Sequence, residues 1–193
     1  MKEELNYKVI RLKSKDIHLN KFILYSIPSI IILASVFHFL FDLLNKISFF
    51  AIFLPVNESI FEHLKLCLYP TLLVWFLGYL FINKKTNIDT SKWVISLTFS
   101  IFINIFIVLS LFYIGSSGFN IHSTIYDIST LIIGTIIGQI LSLHVYNNIS
   151  SNNKNVAYAY ILILLLILVM GFFTFNPPKL PIFFDKVSQS YGL

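Results

Sequence analysis

Pro55-Val56-Asn57-Glu58-Ser59-Ile60-Phe61-Glu62-His63-Leu64-Lys65 opens a helix that continues as Leu66-Cys67-Leu68-Tyr69-Pro70-Thr71-Leu72-Leu73-Val74-Trp75-Phe76-Leu77. Two carboxylates, an imidazole and an ammonium stand at its mouth, and hydrocarbon follows. The run suits the ~20 residues that a helix needs to cross a bilayer. Ionisable side chains at the mouth of a membrane helix are costly to insert, so they mark a functional site by default. Pro55 restricts Leu54 to extended geometry and ends what precedes it. Asn57 is the expected N-cap, and Glu58 in the first turn complements the positive helix end.

Composition agrees with that reading. Hydrophobic residues make up 56% of the 193 residues and charged residues only 12%, with a mean hydropathy of +0.80. A soluble domain carries about 25% charged residues, so this chain lacks the polar surface to be one. The formal charge of +5 reflects basic residues crowded near the N-terminus, which points to membrane topology and an anionic leaflet. There is no Gly-rich phosphate loop, and nucleotide and nucleic-acid binding are excluded. The single cysteine, Cys67, rules out an internal disulfide or a thiolate metal cluster and reads as a buried, inert thiol.

Outward from the opening stretch, apolar runs lie at about residues 22–44, 60–82, 93–114, 122–146 and 157–175. Polar breaks separate the later ones at residues 83–89, 115–118 and 147–154. None of the runs alternates as a barrel strand would. The fold class is therefore all-α: a polytopic transmembrane bundle of about five spans. Residues 1–20 form a basic juxtamembrane segment suited to a short interfacial helix, in which His18 is a solvated side chain. Residues 21–176 form the membrane domain. The tail, 177–193, is punctuated by Pro177, Pro178 and Pro181; it is expected to be extended and to lie against the bundle mouth. The first span is long and no small-residue cleavage site follows it, so it reads as a retained anchor.

Orientation follows from the short loops. With the N-terminus in the cytoplasm, Lys2, Lys8, Arg11, Lys13, Lys15, Lys21, Lys84, Lys85, Lys92 and Lys154 lie inside, and only Lys46, Lys65, Lys179 and Lys186 do not. That asymmetry predicts a multi-pass cell-membrane protein with its C-terminus outside.

Helix rise then gives depth. His38 lies ~6 Å below Asp42 on the first span, and Glu62 and His63 one turn below Glu58 on the second. Asp127 falls ~7.5 Å below His122 on the fourth. His38, Glu62, His63 and Asp127 thus share one layer beneath the outer face, with Asp42, Glu58 and His122 in a shallower ring. Asp127 is seven before Gly134, on the small-residue stripe Thr130, Gly134, Gly138 and Ser142 that lets helices approach closely, and is expected to face the packed interior. Lys65, one turn below Glu62, is an internal counter-ion that weakens a metal role for that carboxylate. His144 reads as an interfacial side chain. Ser96, Ser100 and Asn104 read as interhelical hydrogen-bonding groups. The sequon Asn57-Glu58-Ser59 is discounted, because a helix mouth is a poor acceptor.

The run Pro55-Val56-Asn57-Glu58-Ser59-x-x-Glu62-His63-Leu64-Lys65-Leu66 follows His38-Phe39-Leu40. Far downstream come Thr174-Phe175-x-Pro177-Pro178-x-x-Pro181-x-Phe183-x-Asp185 and Tyr191-Gly192. Together these resemble an uncharacterised bacterial membrane-protein family, domain-of-unknown-function family 6512. Phe61 stands where that family usually has Trp, and Lys186 where a Pro is usual. The resemblance implies a small multi-span membrane protein whose polar positions belong to a shared pattern, and it implies no reaction.

Three functional readings stay open. In the preferred one, His38, Asp42, Asn57, Glu58, Glu62, His63, Lys65 and Asp127 supply a site that binds or conducts a proton, a cation or a small ligand. In the second, a divalent metal held by residues such as His38, Glu62, His63 and Asp127 activates water in a membrane hydrolase at the outer leaflet. In the third, the charges pair with one another and fix helix register in a scaffold protein. The lipid bilayer is the implied partner throughout; the sequence leaves any cofactor, the catalytic residues and the oligomeric state open.

Overall fold

A computed structural model describes the backbone of residues 2–86, 88–150 and 152–193, and their side chains except those of 2–18, 85–86 and 153. Asn87 and Ser151 in the polar breaks, and the side chain of His18, lie outside the described residues.

Five long helices carry the chain: α1 (Lys2–Leu43), α2 (Ile60–Thr86), α3 (Thr90–Tyr113), α4 (Thr124–Asn148) and α5 (Asn153–Phe175). All five are long and apolar enough to cross a membrane, α1 through its part Leu19–Leu43. The fold is the expected all-α bundle. A separate interfacial helix is not formed at the N-terminus, because α1 runs unbroken from Lys2 and passes through Pro28 without ending. The polar break at Gly115-Ser116-Ser117-Gly118 closes α3 as a π turn over Ile114–Gly118. Gly115 is needed there: a Cβ would stand 2.3 Å from the ring of Tyr126, whose hydroxyl donates to the Leu111 carbonyl at 2.6 Å.

Helices α3 and α4 make the most extensive pairing, and α1 packs against both α2 and α4. The small-residue stripe does what its spacing implies. Thr130, Gly134, Gly138 and Ser142 are all buried, and a Cβ on Gly138 would sit 2.8 Å from the backbone oxygen of Ser100. At that interface Gln139 is the polar hub. Its Oε1 accepts from Trp75 Nε1 at 3.1 Å and from the Ser26 hydroxyl at 2.9 Å, and its Nε2 donates to Ser100 Oγ at 2.6 Å. One amide therefore ties four helices together, with every polar atom used. Asn104 Nδ2 likewise reaches Thr135 Oγ1 at 3.2 Å. Ser96 is buried but its hydroxyl has no partner among the described residues. Around this hub the rings of Trp75 and Trp93 pack at a tilt of 55°, with centroids 4.6 Å apart.

The tail is more structured than its prolines suggest. A 3-10 turn over Pro181–Phe183 leads into a two-residue antiparallel hairpin that pairs Phe184 with Tyr191 and Asp185 with Ser190. An extended strap was expected; instead the buried Asp185 carboxylate closes the loop, accepting from Val187 N at 2.8 Å and Ser188 Oγ at 2.5 Å. Placement against the bundle mouth agrees with expectation. Phe183 is buried between Phe61 and Phe173, with centroids at 4.4 and 5.3 Å.

Candidate functional site

The mouth is built by the C-terminal end of α1, the connection to α2, the first turn of α2 and the strapped tail. Helix α2 begins at Ile60, two residues later than Asn57 capping would give. The cap is Ser59, whose Oγ accepts from the amide of Glu62 at 3.3 Å. Asn57 makes a local turn, accepting from Ser59 N at 2.9 Å. Its Nδ2 donates to the Gly192 carbonyl at 2.9 Å, pinning the loop to the tail. Gly192 has φ +65, and a Cβ there would meet Pro177 at 2.7 Å. Only glycine combines that backbone with that contact.

Because Glu58 precedes the helix, it does not stack one turn above Glu62. The two carboxylates part company. Glu62 is 1% exposed and turns inward. Its Oε2 accepts from Lys65 Nζ at 2.6 Å and from the amide of Val56 at 3.0 Å, and its Oε1 from Thr174 Oγ1 at 2.9 Å. Lys65 is fully buried and spends its three donors on Glu62, on Ala51 O at 2.6 Å and on Leu54 O at 3.1 Å. The pair is a clasp joining the 51–56 loop, α2 and α5. Its members are satisfied and leave no acceptor for a ligand.

Glu58 turns the other way, toward two imidazoles. Its Oε2 lies 3.3 Å from His63 Nε2 and its Oε1 3.9 Å from His38 Nε2. The two rings are 5.1 Å apart by centroid, and one ligand atom from each of the three residues falls within 4.8 Å of the others. His38 reaches this point because it lies four residues after Ala34, along the edge of the buried α1 stripe of Ile23, Ser26, Ile30 and Ala34. On His63 the other nitrogen, Nδ1, is 2.9 Å from the Ser59 carbonyl. That contact places a proton on Nδ1 and directs Nε2 at Glu58, to which it donates when the ring carries a second proton. The hydrogen bond with His63 holds the Glu58 carboxyl below the usual carboxylate range, against the opposing effect of partial burial. Side-chain exposures of 27%, 28% and 49% for His38, His63 and Glu58 leave the cluster approachable from the mouth.

The remaining sequence-selected residues stand apart. Asp42 is exposed and pairs at 3.4 Å with Lys46, in the turn just past the end of α1. Asp127 is exposed rather than turned into the packed interior, since α4 begins at Thr124 and its first turn emerges at the mouth. It remains within electrostatic reach of His63, His122 and Lys186. His122 is exposed with Nε2 3.0 Å from Asn120 Oδ1. His144 is exposed, with Nδ1 3.3 Å from Asn148 Nδ2. Cys67 is buried.

Two residues that support the mouth, Thr174 and Asp185, stand in the sequence only as members of the C-terminal pattern. Thr174 secures Glu62. Asp185 receives a hydrogen bond from the backbone amide of Glu58; with the Ser188 and Val187 donors this holds its carboxyl below the ordinary range although burial pushes it up. Their place in the motif shared with the mouth residues was the available signal.

Fold and geometry together define a polytopic helical membrane protein with a His/Glu cluster at one end of its bundle. The chain belongs to the Family of unknown function (DUF6512), whose model matches residues 11–193. No curated protein and no solved structure matches it.

Proposed function

We propose that this protein binds a small cationic ligand at the mouth formed by His38, Glu58 and His63, on the extracytoplasmic side of the cell membrane. One observation carries the reading. With His63 Nδ1 committed to the Ser59 carbonyl, Nε2 faces a carboxylate oxygen at 3.3 Å. Acceptor facing acceptor at that distance needs a positive charge between or beside them, whether a proton or another cation. Directly below the rings α2 continues as Leu64, Cys67 and Leu68, all buried, which favours binding at the mouth over conduction through the bundle. The side assigned follows the lysine asymmetry of the loops.

The test uses the purified full-length protein with 15N-labelled histidine, whose ring resonances report tautomer and charge. The His63 and His38 signals should shift in Glu58→Gln and should respond to at least one of sodium, ammonium, magnesium or zinc. Rings insensitive to that series and to Glu58→Gln would remove the reading. Proteoliposomes assayed for proton and cation flux separate binding from conduction: flux abolished by Glu58→Gln would replace the first with the second.

A further inference from the structure

We propose that the His38–Glu58–His63 cluster is a site for a divalent transition-metal ion of the zinc class, held through the Nε2 atoms of both histidines and the Glu58 carboxylate. This rests on the reading of the mouth as a cation site and names the cation.

Donor chemistry selects the class. Two imidazole nitrogens and one carboxylate suit zinc and its neighbours, whereas calcium and magnesium take oxygen shells of six or more. The soft alternative, copper(I), wants sulfur, and Cys67 is buried within the core cluster of the bundle. Spacing agrees. Donors at ~2.0–2.2 Å from a tetrahedral ion stand roughly 3.3–3.5 Å apart. The Glu58–His63 distance is 3.3 Å. His38 Nε2 stands 3.9 Å from the other carboxylate oxygen, Oε1, and the three ligand atoms lie within 4.8 Å of one another, so closing on one ion asks for side-chain movements of up to about 1.5 Å.

Support around the donors has the form a metal site requires. His63 Nδ1 sits against the Ser59 carbonyl at 2.9 Å, the outer contact that fixes a ligating imidazole's tautomer and orientation. His38 supplies an independent indication. Its Nε2 is beyond hydrogen-bond range of Glu58, and its Nδ1 is buried with no partner. A ring aimed at a carboxylate with neither nitrogen bonded acquires a strong partner when an ion takes Nε2. The three ligands come from α1, the connecting loop and α2, and the Glu62–Lys65 clasp beneath them fixes the loop and α2 by buried hydrogen bonds. Three protein ligands leave a fourth position at the exposed mouth.

The competing account is an imidazolium–carboxylate ion pair between His63 and Glu58, with His38 merely packed alongside. Metal titration separates them. The full-length protein, freed of any polyhistidine tag and stripped with chelator in detergent, is titrated with Co2+ and then Zn2+. Expected are a visible Co2+ absorption band of four- or five-coordinate intensity that saturates at one ion per chain, its displacement by Zn2+, and no displacement by excess Mg2+ or Ca2+. His63→Ala, His38→Ala and Glu58→Gln should each weaken binding about tenfold or more. His122→Ala and His144→Ala should leave it unchanged. Should His38→Ala misfold by circular dichroism, His38→Gln replaces it. Absence of 1:1 Co2+ and Zn2+ binding by the wild type overturns the metal assignment, as does binding that survives both histidine substitutions. If the histidine resonances still respond to another cation, the metal inference alone has failed. If they respond to none, the functional reading falls as well.

Discussion

Replacing Lys65 by methionine keeps the length and most of the volume of the side chain and removes one buried charge. Its three donors then disappear from Ala51 O, Leu54 O and Glu62 Oε2, which they reach at 2.6, 3.1 and 2.6 Å. Charge-assisted hydrogen bonds contribute about 1.5–3 kcal/mol each, so the gross loss is roughly 4.5–9 kcal/mol. Against this stands the desolvation cost of the ammonium, several kcal/mol that the variant no longer bears. The net agrees with the ~3–5 kcal/mol usual when one partner of a buried pair is removed, since Glu62 remains buried and uncompensated. At roughly 2–4 °C per kcal/mol for a chain of this size, the midpoint should fall by about 6–20 °C. Thermal unfolding in one fixed detergent reads this directly, because both tryptophans, Trp75 and Trp93, are buried core residues whose emission follows loss of the bundle. Glu62→Gln combined with Lys65→Met removes both charges and keeps an amide for Val56 N and Thr174. That double variant should recover at least ~1 kcal/mol of the single loss, a coupling expected of contacting residues. A single variant within ~1 kcal/mol of wild type, or a double variant whose losses simply add, would refute the clasp.

Three further outcomes are expected. Gln139→Leu strands the Trp75 indole and the Ser100 hydroxyl at the helix hub, while Ser26 Oγ keeps the Ile23 carbonyl at 2.6 Å; at about 1–3 kcal/mol per unsatisfied buried group, unfolding should show at least ~2 kcal/mol lost. Gly138→Ala places a Cβ 2.8 Å from the Ser100 carbonyl and should cost about 1–3 kcal/mol; Gly118→Ala, with open space around it, should stay within ~0.5 kcal/mol. Asp185 has a carboxyl held below its ordinary value in the folded tail, so its contribution is present above the unfolded aspartate range near ~3.9 and is lost as pH falls through the lower folded value. Hydrogen exchange of residues 184–191 should therefore be better protected in wild type than in Asp185→Asn at neutral pH. That difference should begin to shrink as pH falls below about 4 and close below the folded value; a difference independent of pH would contradict the assignment.

Much of this architecture was legible because bilayer physics is blunt. Apolar runs of spanning length and a four-residue stripe of small side chains each have one dominant cause, and the helices and the α3–α4 seam follow from them. Burial of the tail was legible from Phe183 and its apolar neighbours. What escaped the sequence was decided by backbone reversals a few residues long. Asn57 and Ser59 are both competent caps, and choosing between them moves Glu58 off the helix. The proline-rich tail folds into a hairpin because Asp185 closes it with bonds to Val187 and Ser188, a local arrangement that composition does not announce. Asp127 shares the periodicity of the Gly134 stripe, yet periodicity cannot say where a helix leaves its neighbours, and the first turn of α4 already has.

Two glutamates four residues apart illustrate how burial divides labour. On an uninterrupted helix Glu58 and Glu62 would repel, and a shared cation would be the economical remedy. Starting the helix at Ile60 removes that conflict. Glu62, held by Lys65, Thr174 and Val56, is worth more as a fastener than as a ligand, since moving it would uncover an ammonium with no other anion beside it among the described residues. Glu58, half-exposed and facing two rings of which one has no bonded nitrogen, costs little to recruit. The same loop backbone serves both: Val56 N is fixed by Glu62, Asn57 by Gly192, and Glu58 N by Asp185. Loosening the fastener should consequently degrade the site. Lys65→Met protein that remains folded at low temperature is expected to bind Co2+ several-fold more weakly than wild type, although Lys65 touches none of the three donors. Unchanged Co2+ affinity in that variant would show that the mouth holds its geometry without the clasp.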